Sequence, residues 1–533
     1  MITKSVDTNP RLINEIHITI DRHNSVEFSF HASTKNTELK ELIQSIWDDF
    51  SYDEQLDIDG TSNNKGVLGI HYLELILVQM FHQWVIDPTV CIASIRNNNA
   101  INVRNFYNTK MIDIRKLVRV WNVLERNDYI IVANHSYDRE NPNAQNTTTR
   151  VMPSDKLQDK FANISTTEFN VDLNADNKQL HLTEYDLEAS TGSLYSKNNQ
   201  RAKIYIKYSE DTPHITEKLK VLKEYNSLLS QTHVDIANLE EPYVFRKRYN
   251  KVTKTYDETK IAINQSKKFV RRVFSRNSWK ANGRFYGGFW QLVGSDYRQN
   301  IRINGEATVE LDYKSLHPNL LLIQEGLEPS NDVYGLGDIP IVDRYDLDIQ
   351  RSIVKLAVLM LLNADDIDTA FKALKAKFST SSGEPIDIRA DLTREEFNSY
   401  LDAFIMHHPS LEKYMGKDEG IKLMYQDSLI VEELIRNFTA REIPILCVHD
   451  SILLQEKYLD LAREEMKKAT VKLLGVELDF DQNRVTKDLV DGTRGFKDTQ
   501  FTASYWETFI QQYPSGVTNR YQDNLDKFSE WKS

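Results

Sequence analysis

Two apolar runs that each end on an aspartate constrain this chain more than any other feature of its sequence. In the first, VELDY, Val309 and Leu311 precede Asp312; in the second, ILCVHDSILL, Asp450 lies in a polar turn between two apolar stretches. Short apolar runs of this kind predict buried β-strands. Because a carboxylate is rarely buried without a positive partner, and a divalent metal ion is the strongest such partner, the pattern predicts metal-binding acids where a sheet meets solvent.

A helix between the two acids carries a pair of cations. Its sequence, DIQRSIVKLAVLMLLNA, has apolar residues around almost the whole circumference, which predicts a largely buried helix. Arg351 and Lys355 lie four residues apart and therefore on one face. Since no acid on that face matches them, a triphosphate is their predicted partner. Two acids that hold Mg²⁺, or Mn²⁺ in its place, opposite such a helix predict a two-metal site for nucleotidyl transfer.

Each of these features also has a purely structural interpretation. An aspartate at the end of a strand can start a turn or accept backbone hydrogen bonds. Two cations near the start of a helix can extend their charged ends into solvent while their stems cover apolar neighbours. The presence of both acids and both cations in one chain favours the catalytic interpretation.

The same residues carry a family resemblance. Three segments resemble, in order and spacing, motifs A, B and C of the family A DNA polymerases and of the single-subunit phage RNA polymerases: ELDYKSLHPNL around Asp312, RSIVKLAVLMLLNA, and CVHDS around Asp450. The resemblance implies a right-hand palm and fingers. In that arrangement the two aspartates hold the metal ions, Arg351 and Lys355 bind the triphosphate, and His449 positions the primer end.

Looser matches extend the resemblance over about residues 280–490. NGRFYGGFWQ is similar to the segment before motif A whose arginine contacts primer or template, which gives this role to Arg284. LMYQDSLIVEELI resembles the palm helix whose glutamine touches the growing end, which nominates Gln426. The alternatives are that Arg284 braces a loop and that Gln426 is a surface residue. The nucleotide-facing positions implied by the resemblance are His317, Leu359 and Asn363.

Three positions depart from the family pattern. His317 replaces the glutamate that excludes ribose in family A DNA polymerases, Asn363 replaces a tyrosine, and Ser451 replaces the glutamate of a His-Asp-Glu sequence. The segment DYKSLHP also resembles motif A of the family B polymerases. The choice between deoxyribonucleotides and ribonucleotides is therefore open.

The first interpretation is a DNA-directed DNA polymerase. The second is an RNA polymerase or primase with the same palm. The third is a replication initiator or regulator that binds DNA and has a palm that does not catalyse. A structural or partner-binding protein remains as a fourth, although it gives no reason for acids at strand ends opposite two cations.

A basic segment precedes the first aspartate. From Arg246 to Arg284 the chain has thirteen Lys or Arg residues against two acids, with aromatic residues interleaved. Basic side chains mixed with aromatic rings suit a phosphate backbone and stacked bases. The segment therefore predicts a nucleic-acid track that includes Arg271 and Arg272, although a solvated helix face is the plainer alternative.

A second predicted nucleic-acid surface lies nearer the N-terminus. Two amphipathic helices followed by the strand-like runs YIIVANHS and TTTRVMPS predict a winged helix-turn-helix unit. In such a unit the helix RKLVRVWNVLERN lies in a DNA major groove and the hairpin forms the wing. The predicted contacts are Arg115, Arg119 and Arg150. Winged helices also serve as protein-interaction modules, which remains an alternative.

Length and composition fit a multidomain α+β protein. The chain has 533 residues, of which 40% are hydrophobic and 27% charged, so several globular units are expected. We predict an N-terminal segment without an assigned role (1–64), the winged helix (65–155), a connector (156–240), palm and fingers (241–500) and a tail (501–533).

The partners and location follow from the same features. The net charge of −12 argues against a protein that only coats nucleic acid. The predicted partners are DNA, as a primer-template or an origin-like site, and nucleoside triphosphates. No apolar run has membrane-spanning length, and the two cysteines, Cys91 and Cys447, form no cluster. We therefore expect a cytoplasmic protein without a membrane partner.

Overall fold

The structure is a computed structural model that describes residues 24–59, 67–94, 106–134, 148–186, 202–250, 255–338, 340–378, 388–484 and 501–533. In these residues the helices are α1 (Thr37–Asp48), α2 (Tyr52–Asp59), α3 (Gly69–Ile86), α4 (Ile114–Arg126), α5 (Asp155–Ala162), α6 (Pro213–Ser230), α7 (Ser295–Arg298), α8 (Leu316–Gln324), α9 (Leu347–Asn363), α10 (Ile367–Phe378), α11 (Arg394–His407), α12 (Gly420–Thr439), α13 (Leu459–Leu474), α14 (Ala503–Gln512) and α15 (Asn519–Lys532).

Strands alternate with these helices along the chain, so the structure mixes both element types, as the predicted α+β class requires. The strands are β1 (Ser25–Glu27), β2 (Ser33–Thr34), β3 (Cys91–Ser94), β4 (Ile130–Ala133), β5 (Thr149–Pro153), β6 (Val171–Asp172), β7 (Leu180–Asp186), β8 (Ala202–Tyr205), β9 (Val234–Ile236), β10 (Tyr243–Asn250), β11 (Thr255–Ala262), β12 (Arg271–Phe274), β13 (Asn282–Tyr286), β14 (Ile301–Ile303), β15 (Glu306–Tyr313), β16 (Leu446–Val448), β17 (Ser451–Gln455) and β18 (Phe480–Arg484).

Two large hydrophobic cores divide the described chain. The first is built from residues between Phe28 and Val171, and the second from residues between Leu180 and Leu478. The amphipathic helix α1 buries Leu39 in the first core, so the predicted N-terminal segment 1–64 shares its core with the predicted winged helix. Helix α6 belongs to the second core and contacts α12. The stretch predicted as a connector therefore contributes to both cores and is not a unit of its own.

The elements α3, β3, α4 and the hairpin β4–β5 pack around the first core. The strand order of its sheet is β1-β3-β5-β4, with β1 parallel to β3 and the other pairs antiparallel. Helix α3 is apolar and buried over most of its length, whereas α4 buries one face that includes Leu117 and Trp121. The helices and the hairpin lie where the sequence predicted them, and the structure adds α1, α2 and β1 around them.

The second core is organised by an antiparallel sheet of order β16-β17-β15-β14-β9, and β18 pairs with the part of β15 from Val309 to Tyr313, beyond the residues that pair with β14. Strand β15 is therefore central, and its apolar side chains Val309 and Leu311 are fully buried. Helix α12 contacts α6, α13 and the strand β13. These contacts bring α12 next to the end of the sheet at which Asp312 lies.

Helices α9, α10 and α11 form a cluster on one side of α12. Helix α9 begins at Asp346, whose side chain accepts a hydrogen bond from the Ile349 backbone N–H, a typical N-cap arrangement. Helix α11 begins with a capping box between Thr393 and Glu396. In the described part of the chain, no helix combines the length and the apolar character needed to cross a membrane.

Candidate functional site

The sheet brings the two predicted aspartates together. Asp312 on β15 is paired in register with Ser451, the residue after Asp450. Burial is the main cause that raises the pKa of Asp312 to about 7, and the charges of Asp450 and Glu310 raise it further, while Lys355 opposes them. Charges shift a pKa appreciably only when they lie near the group, so three carboxylates and one ammonium group converge at this end of the sheet.

A tight hairpin holds Asp450 in place. His449 and Asp450 form the two-residue turn between β16 and β17, and His449 has a positive φ of 58°. A positive φ is uncommon for residues other than glycine, and histidine tolerates it better than most of them. Partial loss of solvent contact lowers the pKa of His449, and the charge of Arg284 lowers it further. His449 is therefore a neutral side chain beside the acids at neutral pH.

Two further acids flank Asp312, and the sequence analysis missed both. Glu310 lies two residues before Asp312 on the same strand and accepts a hydrogen bond of 3.0 Å from the Ser451 hydroxyl. Asp481 on β18 is paired in register with Asp312 and lies 3.5 Å from the Lys314 ammonium group. The alternation of β15 pointed to Glu310, since residues i and i+2 share a face. Nothing local in the sequence pointed to Asp481.

The donor set is consistent with magnesium but does not enclose a metal ion. Among the described residues, no group of three or more His, Cys, Asp or Glu side chains is arranged to hold a metal. Mg²⁺ is commonly held by one or two carboxylates and completes its octahedron with water and substrate phosphates. The pair Asp312 and Asp450 fits this pattern, and the pKa of Asp312 is raised by burial and by neighbouring acids, whose combined negative charge a cation would offset.

Helix α9 differs from its prediction in one respect. It is buried on one side only, and Arg351, Lys355, Leu359 and Asn363 form an exposed stripe along the other side. The Arg351 guanidinium donates to both oxygens of Asp332 at 3.0 Å. The expectation that this arginine lacks an acidic partner was wrong, because the partner comes from the loop before the helix and not from the helix itself.

Lys355 and Asn363 have different surroundings on that stripe. Lys355 forms no ion pair with any described residue, and its charge lowers the pKa of Asp312. The Asn363 side chain donates to the Leu359 carbonyl at 2.8 Å and lies against Gly420, where a Cβ atom would come within 2.1 Å of its Oδ1. Asn363 thus packs at the junction of α9 and α12, whereas Lys355 faces the carboxylates.

Two predicted residues, Arg284 and His317, form one hydrogen-bonded group with Asp427. Asp427 on α12 has no exposed side-chain surface. It accepts hydrogen bonds from the Arg284 guanidinium on β13 and lies 2.8 Å from Nε2 of His317 on α8. Burial alone would lower the pKa of Arg284. The hydrogen bonds to Asp427 and the charges of Asp427 and Asp450 outweigh this effect and raise the pKa. The group therefore lies within electrostatic reach of the aspartate pair. Gln426, the predicted primer contact, precedes Asp427 and is partly buried.

The basic segment is not a continuous exposed track. Arg272 is 1% exposed and binds Glu432 on α12 at 2.5 Å, and its guanidinium also lies over the ring of Phe274. Its prediction as a nucleic-acid contact is therefore wrong in this structure. Lys268 is also buried and donates to a backbone carbonyl. Arg271 is partly buried, and Arg246, on the ribbon β10–β11, is exposed.

In the first core, the predicted DNA-contact residues lie on α4 and β5, and one of them binds helix α2. Arg115 and Arg119 are exposed on α4, and Arg119 donates to the Asp57 backbone carbonyl at 2.6 Å. The neighbouring Lys116 lies 3.7 Å from a carboxylate oxygen of Asp59. Arg150, on β5, donates to the backbone carbonyl of Thr148 at 2.9 Å. The acidic helix α2 thus covers part of the face that was predicted to enter a DNA groove.

Comparisons with known proteins do not identify a family. No protein-family model matches the chain, and a search of curated proteins finds no match.

Proposed function

We propose that this protein is a template-directed nucleotidyltransferase, with DNA polymerase activity as the first candidate. The observation that carries the proposal is the pair Asp312 and Asp450, which lie at the same end of two hydrogen-bonded strands with Lys355 nearby. Two adjacent carboxylates opposite a cation suit Mg²⁺ and a triphosphate. The sequence resemblance to polymerase motifs A, B and C supports the same conclusion.

Each group has a role in this proposal. Asp312 and Asp450 would hold Mg²⁺, which supplies charge neutralisation for the phosphates and activation of the attacking hydroxyl. Lys355 is the side chain available to the triphosphate, and Arg351 can join it by exchanging its bond to Asp332. Burial and the Arg284 charge keep His449 neutral, so it can accept or donate a hydrogen bond near the strand end.

The helices and strands around the first core form the proposed DNA-binding unit. The chain order α3, β3, α4, β4, β5 and the antiparallel pairing of β5 with both β3 and β4 support a winged helix in this proposal. Arg115 and Arg119 on α4 are its proposed phosphate contacts. DNA that approached α4 closely would have to compete with α2, because Arg119 and Lys116 already bind groups of that helix.

An RNA polymerase or primase is the second candidate. His317 stands where family A DNA polymerases have the glutamate that excludes ribose, and an imidazole cannot carry the negative charge of that glutamate. A DNA-binding regulator without catalysis is less well supported, because a chain with no use for metal gains nothing from placing two acids side by side.

Primer extension tests the proposal. The purified protein is given a primed DNA template, Mg²⁺ and labelled nucleotides, and Asp450→Asn is compared with Asp460→Asn, whose carboxylate is 97% exposed on α13. Removing one metal ligand is worth several kcal/mol in the transition state, so we expect Asp450→Asn to lose about a thousandfold or more in rate. Near-normal extension by Asp450→Asn would remove the mechanism, and the absence of any incorporation by the wild-type protein would remove the function.

A further inference from the structure

The carboxylate of Asp427 is the most completely buried acid near the site and was not predicted from the sequence. It has no exposed side-chain surface and binds groups from two other elements, Arg284 and His317. The backbone explains the close approach. Gly283 has a φ of +83°, and a Cβ atom there would lie 2.8 Å from the Ser428 hydroxyl. Only glycine lets β13 come this near to α12.

The hydrogen bonds at Asp427 determine which nitrogen of the His317 ring carries the proton. Nε2 of His317 lies 2.8 Å from an Asp427 oxygen and 3.2 Å from an Arg284 nitrogen. Arginine only donates hydrogen bonds and carboxylate only accepts them, so one ring nitrogen cannot satisfy both. The shorter, charge-assisted bond to the carboxylate is the stronger one. Nε2 therefore carries the proton, and in the singly protonated ring Nδ1 is left as an acceptor.

We propose that Asp427 is a positioning residue that fixes His317 as a hydrogen-bond acceptor for a sugar hydroxyl of the nucleotide. The inference rests on the proposed function, because it requires a nucleotide at the Asp312 and Asp450 pair. His317 is 10% exposed, which leaves part of the ring accessible, and it is joined through Arg284 to the charge of Asp450. An acceptor at His317 favours a nucleotide whose sugar carries the hydroxyl that donates to it. A glutamate would instead exclude the sugar by size and charge.

The same helix provides a matched control. Glu432 is also a buried acid of α12 that binds an arginine of the β12–β13 hairpin, Arg272, at 2.5 Å. It additionally binds Lys218 and has no contact with His317 among the described residues. Removing either acid leaves a buried arginine without its partner, so both variants lose stability. Only the Asp427 variant changes the ring that contacts the sugar.

The experiment measures single-nucleotide incorporation with ribonucleoside, 2′-deoxyribonucleoside and 2′,3′-dideoxyribonucleoside triphosphates. The proteins are the wild type, Asp427→Asn, Glu432→Gln and His317→Phe. One net hydrogen bond changes kcat/KM by about fivefold to tenfold. We expect the ratio between two of the sugars to change by this factor in Asp427→Asn and His317→Phe and to stay unchanged in Glu432→Gln. The pair of sugars affected tells whether the 2′ or the 3′ hydroxyl is bound.

Several results would overturn the inference without touching the proposed function. Unchanged sugar ratios in His317→Phe would do so even if Asp427→Asn fails to fold. So would an equal change of the ratios in Glu432→Gln, because that outcome assigns the effect to general loosening of α12. A wild-type protein that incorporates no nucleotide at all would instead contradict the proposed function itself.

Discussion

The pair Asp312 and Asp450 predicts how the free energy of unfolding changes with pH, and this prediction does not depend on catalysis. The pKa of Asp312 is raised from 3.8 to about 7, first by burial and then by Asp450. A folded-state pKa above the unfolded one means that ionised Asp312 opposes folding. This destabilisation is fully present above about pH 7, and it is relieved as the pH falls towards 3.8. The full shift corresponds to about 4 kcal/mol.

The variant Asp450→Asn removes the second largest cause of this shift. We expect roughly 1 kcal/mol of the destabilisation to disappear at pH 8, which raises the melting temperature by about 2 to 4 °C for a folding unit of this size. Mg²⁺ favours the ionised acids, so it stabilises the wild-type protein at pH 8 and much less at pH 5.5. The variant loses most of this response because it lacks one of the two ligands.

Thermal unfolding with and without Mg²⁺ at both pH values checks these expectations. Asp460→Asn serves as the control, since its carboxylate is 97% exposed and is not among the charges that shift the pKa of Asp312. The reasoning fails if Asp450→Asn melts below the wild type at pH 8 in the absence of metal. It also fails if Mg²⁺ stabilises the variant and the wild type equally, because the ion would then bind elsewhere.

Three further outcomes follow from the described contacts. Lys355→Ala removes the cation that faces the carboxylates, and steady-state kinetics should show a KM for nucleotide raised about tenfold or more; an unchanged KM would place the triphosphate elsewhere. Arg272→Met removes the closest cation from the buried Glu432 carboxylate and leaves Lys218 as its main partner, so urea unfolding should show a loss of about 3 kcal/mol, while DNA affinity measured under native conditions stays the same. Arg115→Ala should lower the slope of log affinity for DNA against log salt concentration by about 1; an unchanged slope would show that α4 does not contact phosphate.

Much of the local structure could be predicted because its causes are local. The apolar run before Asp312 became a strand in which Val309 and Leu311 are fully buried, and the run around Asp450 became the predicted hairpin. The four-residue spacing of Arg351 and Lys355 placed both on one helix face. The burial of α9 was overestimated, because a count of apolar residues does not tell which side meets solvent when side chains such as Leu359 remain 39% exposed.

The sequence by itself determined which residues share a strand or a helix face, because those relations depend on the fixed repeat of the backbone. Only the tertiary structure decided their partners. It paired Asp481 with Asp312, gave Arg351 an acid from the preceding loop, placed Arg272 in the core and joined His317 and Arg284 at Asp427. Such pairs unite segments far apart in the chain, and they form because burial of the apolar core brings those segments together.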